Sequence, residues 1–158
     1  MMRRKDKKIT DRAQIDAIIR DALVCRIALH DGDMPYIVPL SFGYDGKNIY
    51  IHSAAEGRKI DILRQNPRLC FELETHCAVL PAEKACSFTM RYQSVIGYGT
   101  ASFIENAREK IRAVQCIMNH YTDGDFIFTP HDIDRIAVLR IDIEEISGKQ
   151  SGFPHQET

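Results

Sequence analysis

The longest extended stretch of the chain, residues 88–104, places the strongest constraint on its fold. The sequence FTMRYQSVIGYGTASFI carries two glycines, Gly97 and Gly99, on one face. Glycines at this spacing let a strand coil strongly or turn the corner of a barrel, because no side chain stands in the way. A long coiled strand of this kind favours a closed barrel over an open sheet.

Five further segments alternate apolar and polar residues with the period of a strand. Asp31-Gly32 and Asp45-Gly46 are typical of tight hairpin turns. The strand between these turns contains Pro35 and Pro39, which have no backbone N–H to donate, so we expect it at an edge of the sheet or at a bulge. The six predicted strands are residues 23–30, 34–44, 47–52, 68–74, 88–104 and 136–146.

Three segments show helical periodicity: residues 10–22, the turns after Ser53, and residues 106–121. The first is predicted to have a capping box of Asp11 and Gln14. In the third, Asn106 and Glu109 are predicted cap partners. The apolar stripes of the two helices are predicted to be Ile15, Ile18 and Ile19 in the first and Ile111, Val114, Met118 and Tyr121 in the third.

The stretch 48–67, NIYIHSAAEGRKIDILRQNP, is predicted to form a strand that turns sharply into the second helix. Ser53 and Glu56 are spaced as a capping box, and Asn66-Pro67 should end the helix. Arg58 and Lys59 then lie in its first turns, where free backbone N–H groups favour an anion. This arrangement suits a phosphate; the alternative is an exposed Arg-Lys pair that points into water.

The composition indicates an ordinary globular protein: 158 residues, 44% hydrophobic and 27% charged, with a net charge of −1. We expect a single domain over residues 1–158, with a mobile basic arm at 1–8 and a mobile tail at 150–158. The balanced charge argues against a nucleic-acid partner. No apolar run is long enough for a membrane span and no signal peptide is evident, so we expect a cytoplasmic protein. Five cysteines without a CxxC motif do not predict a metal site.

Three motifs occur in order: VPLSFGY at 38–44, IHSAAEGRK at 51–59 and MRYQSVIGYG at 90–99, with ISGK at 146–149. Together they resemble the pyridoxamine 5′-phosphate oxidase-like flavoproteins, and specifically the branch of nitroimidazole-resistance proteins. The resemblance covers residues 3–149. The tail QSGFPHQET has no arginine, so we do not expect pyridoxamine phosphate oxidase activity itself.

The resemblance implies a mainly β fold with peripheral helices, a six-stranded antiparallel Greek-key split β-barrel that forms a homodimer and holds FMN at the interface. It implies that Lys59 binds the FMN phosphate with Arg58 close by, and that two further strands lie along the flavin. The implied cofactor-binding residues are Pro39, Leu40, Ser41, Phe42, His52, Ser53, Arg58, Lys59, Arg91, Tyr92, Ser94 and Val95. Arg91 and Ser94 differ by an odd number of positions, so both side chains reach one phosphate only if a bulge intervenes or one acts through its backbone.

His52 is the candidate catalytic residue, because the resemblance places it near the flavin and imidazole titrates near neutral pH. The alternative is a histidine packed at the dimer interface. The implied function is an FMN-dependent oxidoreductase of a small molecule, similar to a nitroimidazole reductase. A non-catalytic flavin- or haem-binding carrier or sensor is the alternative, with His30, His52, His76 or His120 as a haem ligand.

Overall fold

The computed structural model describes residues 4–124 and 126–153, which form one antiparallel sheet with helices packed around it. Within these ranges the eight strands are β1 (Lys8–Ile9), β2 (Cys25–Asp31), β3 (Met34–Leu40), β4 (Phe42–Tyr44), β5 (Asn48–Ala54), β6 (Arg68–Leu80), β7 (Thr89–Phe103) and β8 (Ile136–Ser151). The four α-helices are α1 (Arg12–Asp21), α2 (Arg58–Gln65), α3 (Ala107–Tyr121) and α4 (Pro130–Asp134). None of these helices is long and apolar enough to cross a membrane.

The strands are ordered β3-β2-β6-β7-β8-β5-β4, and β1 also pairs with β8. All six predicted strands are present, and the predicted mainly β, antiparallel fold is confirmed. The predicted strand 34–44 is two strands, because the chain changes partner at Ser41. Leu40 pairs with Cys25 of β2, whereas Phe42 pairs with Ile51 of β5. Since β3 and β4 end the strand order, Ser41 is where the chain joins its two edges, and β3 is the predicted edge strand.

The core lies on the inner face of the sheet. Phe71, Leu73, Val95, Leu139 and Ile141 are fully buried there. At about 25 cal/mol per Å² of buried apolar surface, such side chains supply most of the stabilising free energy.

The helix α1 closes one end of this core. Its predicted buried face, Ile15, Ile18 and Ile19, is confirmed. The Asp11 side chain accepts hydrogen bonds from the backbone N–H groups of Ala13 and Gln14. The predicted capping box is only half formed, however, because the Gln14 side chain donates to Gln150.

The helix α3 packs against the outer face of β4 and β5. Asn106 caps it through the backbone N–H groups of Arg108 and Glu109, as predicted. The close approach requires Gly43, since a Cβ there would lie 2.6 Å from the backbone of Cys116. The predicted stripe is rotated: the buried residues of this helix are Ala113, Val114 and Ile117.

The strand β8 extends beyond its predicted end at Ile146. Ser151 pairs with Tyr92 of β7, and its hydroxyl accepts a hydrogen bond of 2.7 Å from Lys7 Nζ. Parts of the predicted mobile arm and tail therefore take part in the sheet. Residues 1–3 and 154–158 of that arm and tail lie outside the described residues.

Candidate phosphate and cofactor site

The junction between β5 and α2 is the core of the candidate site, and it differs from the prediction in one respect. Ser53 is not a helix cap: it pairs with Ala137 of β8, and Ala54 pairs with Ile136. Because the sheet keeps the chain extended through Ala54, the helix begins later, at Arg58. Gly57 stands at the N-cap position, so the predicted Ser53–Glu56 capping box is wrong.

The first turn of α2 has no capping side chain within the described residues. The Gly57 carbonyl accepts hydrogen bonds from the N–H groups of Ile60 and Asp61, at 2.8 and 3.1 Å. The N–H groups that precede them are left for another acceptor. Gly57 has a φ of 119°, and a Cβ there would meet nothing within 4 Å, so the space beside Gly57 is open. An uncapped helix start facing open space suits an anion.

Arg58 is held by the β2–β3 hairpin. Its Nε and Nη2 atoms both lie 2.6 Å from Asp31 Oδ2. Its guanidinium also lies 4.7 Å from the centre of the Tyr36 ring, within the range of a cation–π contact. The predicted phosphate ligand Arg58 is therefore already paired with a carboxylate, and its charge is largely compensated.

Lys59 has the opposite environment. Its side chain is half-buried, and burial lowers the pKa of its ammonium group below the ordinary value. No carboxylate pairs with it within residues 4–124 and 126–153. A charge that is partly desolvated and lacks a partner favours an incoming anion. Lys59 is thus the stronger candidate of the two for a phosphate.

The predicted flavin-facing segment 39–42 divides at Ser41. Pro39 and Ser41 are exposed and Leu40 is half-buried at the edge strand. Phe42 is fully buried, and its backbone N–H donates a 2.9 Å hydrogen bond to the Tyr121 hydroxyl. The exposed residues of this segment can meet a ligand, whereas Phe42 is a core residue whose backbone donor is already used.

His52 and Ser53 lie at the end of β5 nearest to α2. His52 is exposed and points to the same outer face as Tyr50, as predicted from their spacing. The Tyr50 hydroxyl is bonded to Asp45, whereas the His52 imidazole has no hydrogen-bond partner among the described residues. His52 is therefore free to contact a ligand.

The predicted residues of β7 lie elsewhere. Arg91 is exposed, Tyr92 and Ser94 are half-buried, and Val95 is fully buried, so its side chain cannot touch a ligand. The irregular register opposite Arg91 lies in β6, between Thr75 and Ala78.

The register of the sheet separates these residues from α2. Ala28 of β2 pairs with Cys70 of β6, and Cys70 pairs with Tyr98 of β7, so Ala28 and Tyr98 lie at the same position along the strands. Asp31, which holds Arg58, lies beyond Ala28 in one direction, and Ser94 and Arg91 lie in the other. Measured along the strands, Ser94 lies seven residues and Arg91 ten residues from the position of Asp31. This separation is roughly 23–33 Å at about 3.3 Å per residue. By the same register Leu40 pairs with Cys25, and Cys25 lies at the same position along the strands as Val95 because both pair with Leu73. Phe42 pairs with Ile51 next to His52, so the segment 39–42 adjoins the end of β5.

Sequence reasoning missed Asp31 and Tyr36, which fix Arg58, and Tyr121, which holds Phe42. These contacts join segments far apart in the chain, so no local pattern signals them. In the described parts of the chain, no group of three or more metal-ligating side chains converges.

Comparisons with known proteins agree with this architecture. A family model described as pyridoxamine 5′-phosphate oxidase matches residues 11–150. The crystal structure of a proposed 5-nitroimidazole antibiotic resistance protein from Bacteroides thetaiotaomicron is 32% identical, with a TM-score of 0.82, and covers 90% of this chain and 86% of that one. An FAD- and haem-binding protein from Mycobacterium smegmatis shares the fold, with a TM-score of 0.84 at 18% identity over 96% of this chain and 77% of that one.

A curated relative, an uncharacterized protein of Rhizobium meliloti, is 28% identical over 88 residues. The alignment spans 56% of this chain and 57% of that protein.

Proposed function

Because this chain belongs to the pyridoxamine 5′-phosphate oxidase family, we propose that it binds a flavin, FMN, and acts as an oxidoreductase on a small molecule. The observation that carries the proposal is the uncompensated, half-buried Lys59 beside the uncapped start of α2. Bound flavin would supply the redox chemistry, while the protein binds and orients it.

The residues present fit the flavin phosphate. Lys59 and the first two N–H groups of α2 offer one ammonium and two backbone donors next to Gly57, beside which the space is open. Pro39 and Ser41 are exposed at the edge of the sheet, and Ser41 precedes Phe42, which pairs with Ile51 next to His52. Arg58 is held by Asp31 and Tyr36 and is therefore not a free ligand of the phosphate.

We further propose that the site is completed by a second copy of the chain. Arg91, Tyr92 and Ser94 lie too far along β7 to reach the Lys59 of their own chain, so in a homodimer they would serve the partner's site. The outer face of the sheet offers a matching surface: Ile37, Ile96 and Tyr98 are 62%, 44% and 54% exposed. Exposed apolar side chains gathered on one face are typical of protein contacts.

His52 is assigned to the substrate side of the flavin. Its free imidazole could hold an anionic group or deliver a proton to a reduced substrate. The Bacteroides relative, a proposed 5-nitroimidazole antibiotic resistance protein, supports a nitro-substituted ring as the substrate class.

The first test is an absorption spectrum of protein purified without added cofactor. Flavin bands near 375 and 450 nm, released on denaturation as FMN, are expected. Lys59→Ala should lose the flavin on gel filtration, with affinity reduced about tenfold or more, as expected for removal of a charge-assisted hydrogen bond. Lys47→Ala, an exposed lysine of the β4–β5 hairpin, is the control and should retain it. Equal retention by both variants would refute the phosphate assignment.

Haem binding without turnover is the alternative function, and the same spectrum separates it, because haem gives a single sharp band near 410 nm. His52 and His76 are the stronger axial ligand candidates. His120 is the weaker one, since its Nε2 atom is bonded to the Ala22 carbonyl at 2.7 Å.

A further inference from the structure

A cleft lined by no residue of α2 lies where α3 meets α1 and β4. Its volume is about 620 Å³, within the roughly 300–1,000 Å³ of small-molecule pockets. Arg112 and Cys116 also line a neighbouring cleft of about 370 Å³. The proposed flavin site uses none of these residues.

Two guanidinium groups face this cleft without carboxylate partners. Arg20 comes from the last turn of α1 and Arg112 from the middle of α3. Neither is paired with an acidic side chain in the part of the chain that the structure describes, and none of the residues that line the cleft is acidic. Nearby Asp16 is already bonded to Arg12 and to the Tyr44 hydroxyl. The two charged side chains that line this cleft are therefore both positive, while Asp45 and Glu109 line the neighbouring cleft that shares Arg112 and Cys116.

The other polar and aromatic residues that line the cleft are the rings of Tyr44 and His120 and the amides of Gln115 and Asn119. The Arg20 guanidinium lies 5.8 Å from the centre of the Tyr44 ring. His120 is fixed by the 2.7 Å contact of its Nε2 with the Ala22 carbonyl and by its ring contact with Phe42, 4.2 Å between centroids. Because a carbonyl oxygen only accepts, Nε2 carries the proton. The wall is thus rigid on the His120 side.

Two amide groups complete the polar set. Gln115 Nε2 donates a 2.6 Å hydrogen bond to Asn119 Oδ1. The bond leaves the Gln115 oxygen and the Asn119 amino group free for a ligand, so the pair can both accept and donate. A site of this kind distinguishes a polar, planar ligand from a purely apolar one.

We propose that this cleft binds a small aromatic carboxylate, at a site separate from the flavin. Planar guanidinium groups match the two oxygens of a carboxylate, and Arg20 and Arg112 can pair with it from α1 and α3. The ligand's ring then packs beside Tyr44 and the apolar atoms of α3. The proposal stands on the cleft alone and does not depend on the flavin function.

The test is a titration of the full chain with benzoate in the presence of excess FMN, followed by amide NMR shifts. Benzoate should shift amides around residues 20, 44 and 112–120. Benzamide, which has the same ring without the charge, should bind about tenfold more weakly or less. Inorganic phosphate should also bind more weakly than benzoate, since it has no ring to pack.

Arg20→Gln combined with Arg112→Gln should weaken benzoate binding about tenfold or more. Arg108→Gln, an exposed arginine on α3 outside the cleft, is the matched control and should leave the affinity unchanged. The proposal is overturned if benzoate does not bind, if benzamide or phosphate binds as tightly, or if the control weakens binding equally. Shifts confined to the start of α2 would also overturn it, and would instead place the probe at the flavin phosphate site.

Discussion

Arg58 and Lys59 are neighbours in sequence, yet they meet different surroundings at the start of α2. Lys59 pays a desolvation cost without a partner, so Lys59→Met should weaken flavin binding and leave the flavin-free protein equally stable or slightly more stable, by less than about 1 kcal/mol. Burial lowers the pKa of Lys59, so the cost applies while the group is charged. This desolvation cost vanishes as the pH rises through the lowered pKa of Lys59 toward 10.5, the ordinary pKa of a lysine.

Urea unfolding of the flavin-free wild type and Lys59→Met between pH 7 and pH 10.5 tests this sign. The advantage of the variant should shrink as the pH rises. A variant that is markedly less stable at pH 7 would show instead that Lys59 is a structural residue.

Asp31 places a negative charge beside the proposed phosphate site and holds Arg58 away from it. Asp31→Asn should therefore tighten flavin binding, by a few-fold, because it removes a like charge and releases the guanidinium. The lost surface ion pair should cost less than about 1 kcal/mol of stability. Asp33→Asn, on the same hairpin, provides the control for net charge. Fluorescence titration with FMN measures both, and weaker binding by Asp31→Asn would show that Arg58 must stay in place.

At the scale of elements, β7 is irregular beside its two glycines, where the sequence predicted strong coiling. The register against β8 shifts between Tyr98 and Gly99, so the strand is irregular where coiling was expected. At Gly97 a Cβ would collide with the Phe71 ring and lie 2.7 Å from the Glu145 carbonyl oxygen. The Glu145 carbonyl belongs to the backbone of β8, which cannot move aside as easily as the end of a flexible side chain.

Gly97→Ala should accordingly destabilise the protein by about 1–3 kcal/mol, the usual cost of overpacking a filled core. Ser102→Ala on the same strand, at a half-exposed position, should change stability by less than about 0.5 kcal/mol. Urea unfolding with a common slope for all three proteins measures the difference. Equal midpoints for Gly97→Ala and the wild type would show that β7 can move away from β6 at little cost.

At the scale of the molecule, the sequence predicted every long strand and the positions of α1 and α3, because periodicity and turn residues are local signals. It misplaced the start of α2, since Ser53 fits a cap pattern but is held in the sheet by β8. It also missed the rotation of α3, which depends on the contact between Gly43 and Cys116. For the proposed site, the motif predicted Lys59 and His52, whereas the restraint of Arg58 by Asp31 arises from a hairpin distant in sequence.

In the proposed dimer, the separation of Lys59 from Arg91 and Ser94 would link cofactor binding to assembly. If the two halves of the site come from different copies, flavin affinity must depend on protein concentration, because dimer formation and binding share one equilibrium. Ile96→Asp, on the outer face of the sheet, should convert the proposed dimer to a monomer and lower flavin affinity at the same time. Ile127→Asp is the matched control: Ile127 is 95% exposed and lies outside the sheet, in the loop before α4.

Sedimentation velocity and flavin titration on the same samples measure the assembly state and the flavin affinity together. A monomeric Ile96→Asp that binds flavin as tightly as the wild type would mean that one chain holds a complete site, and the role proposed for β7 would fail.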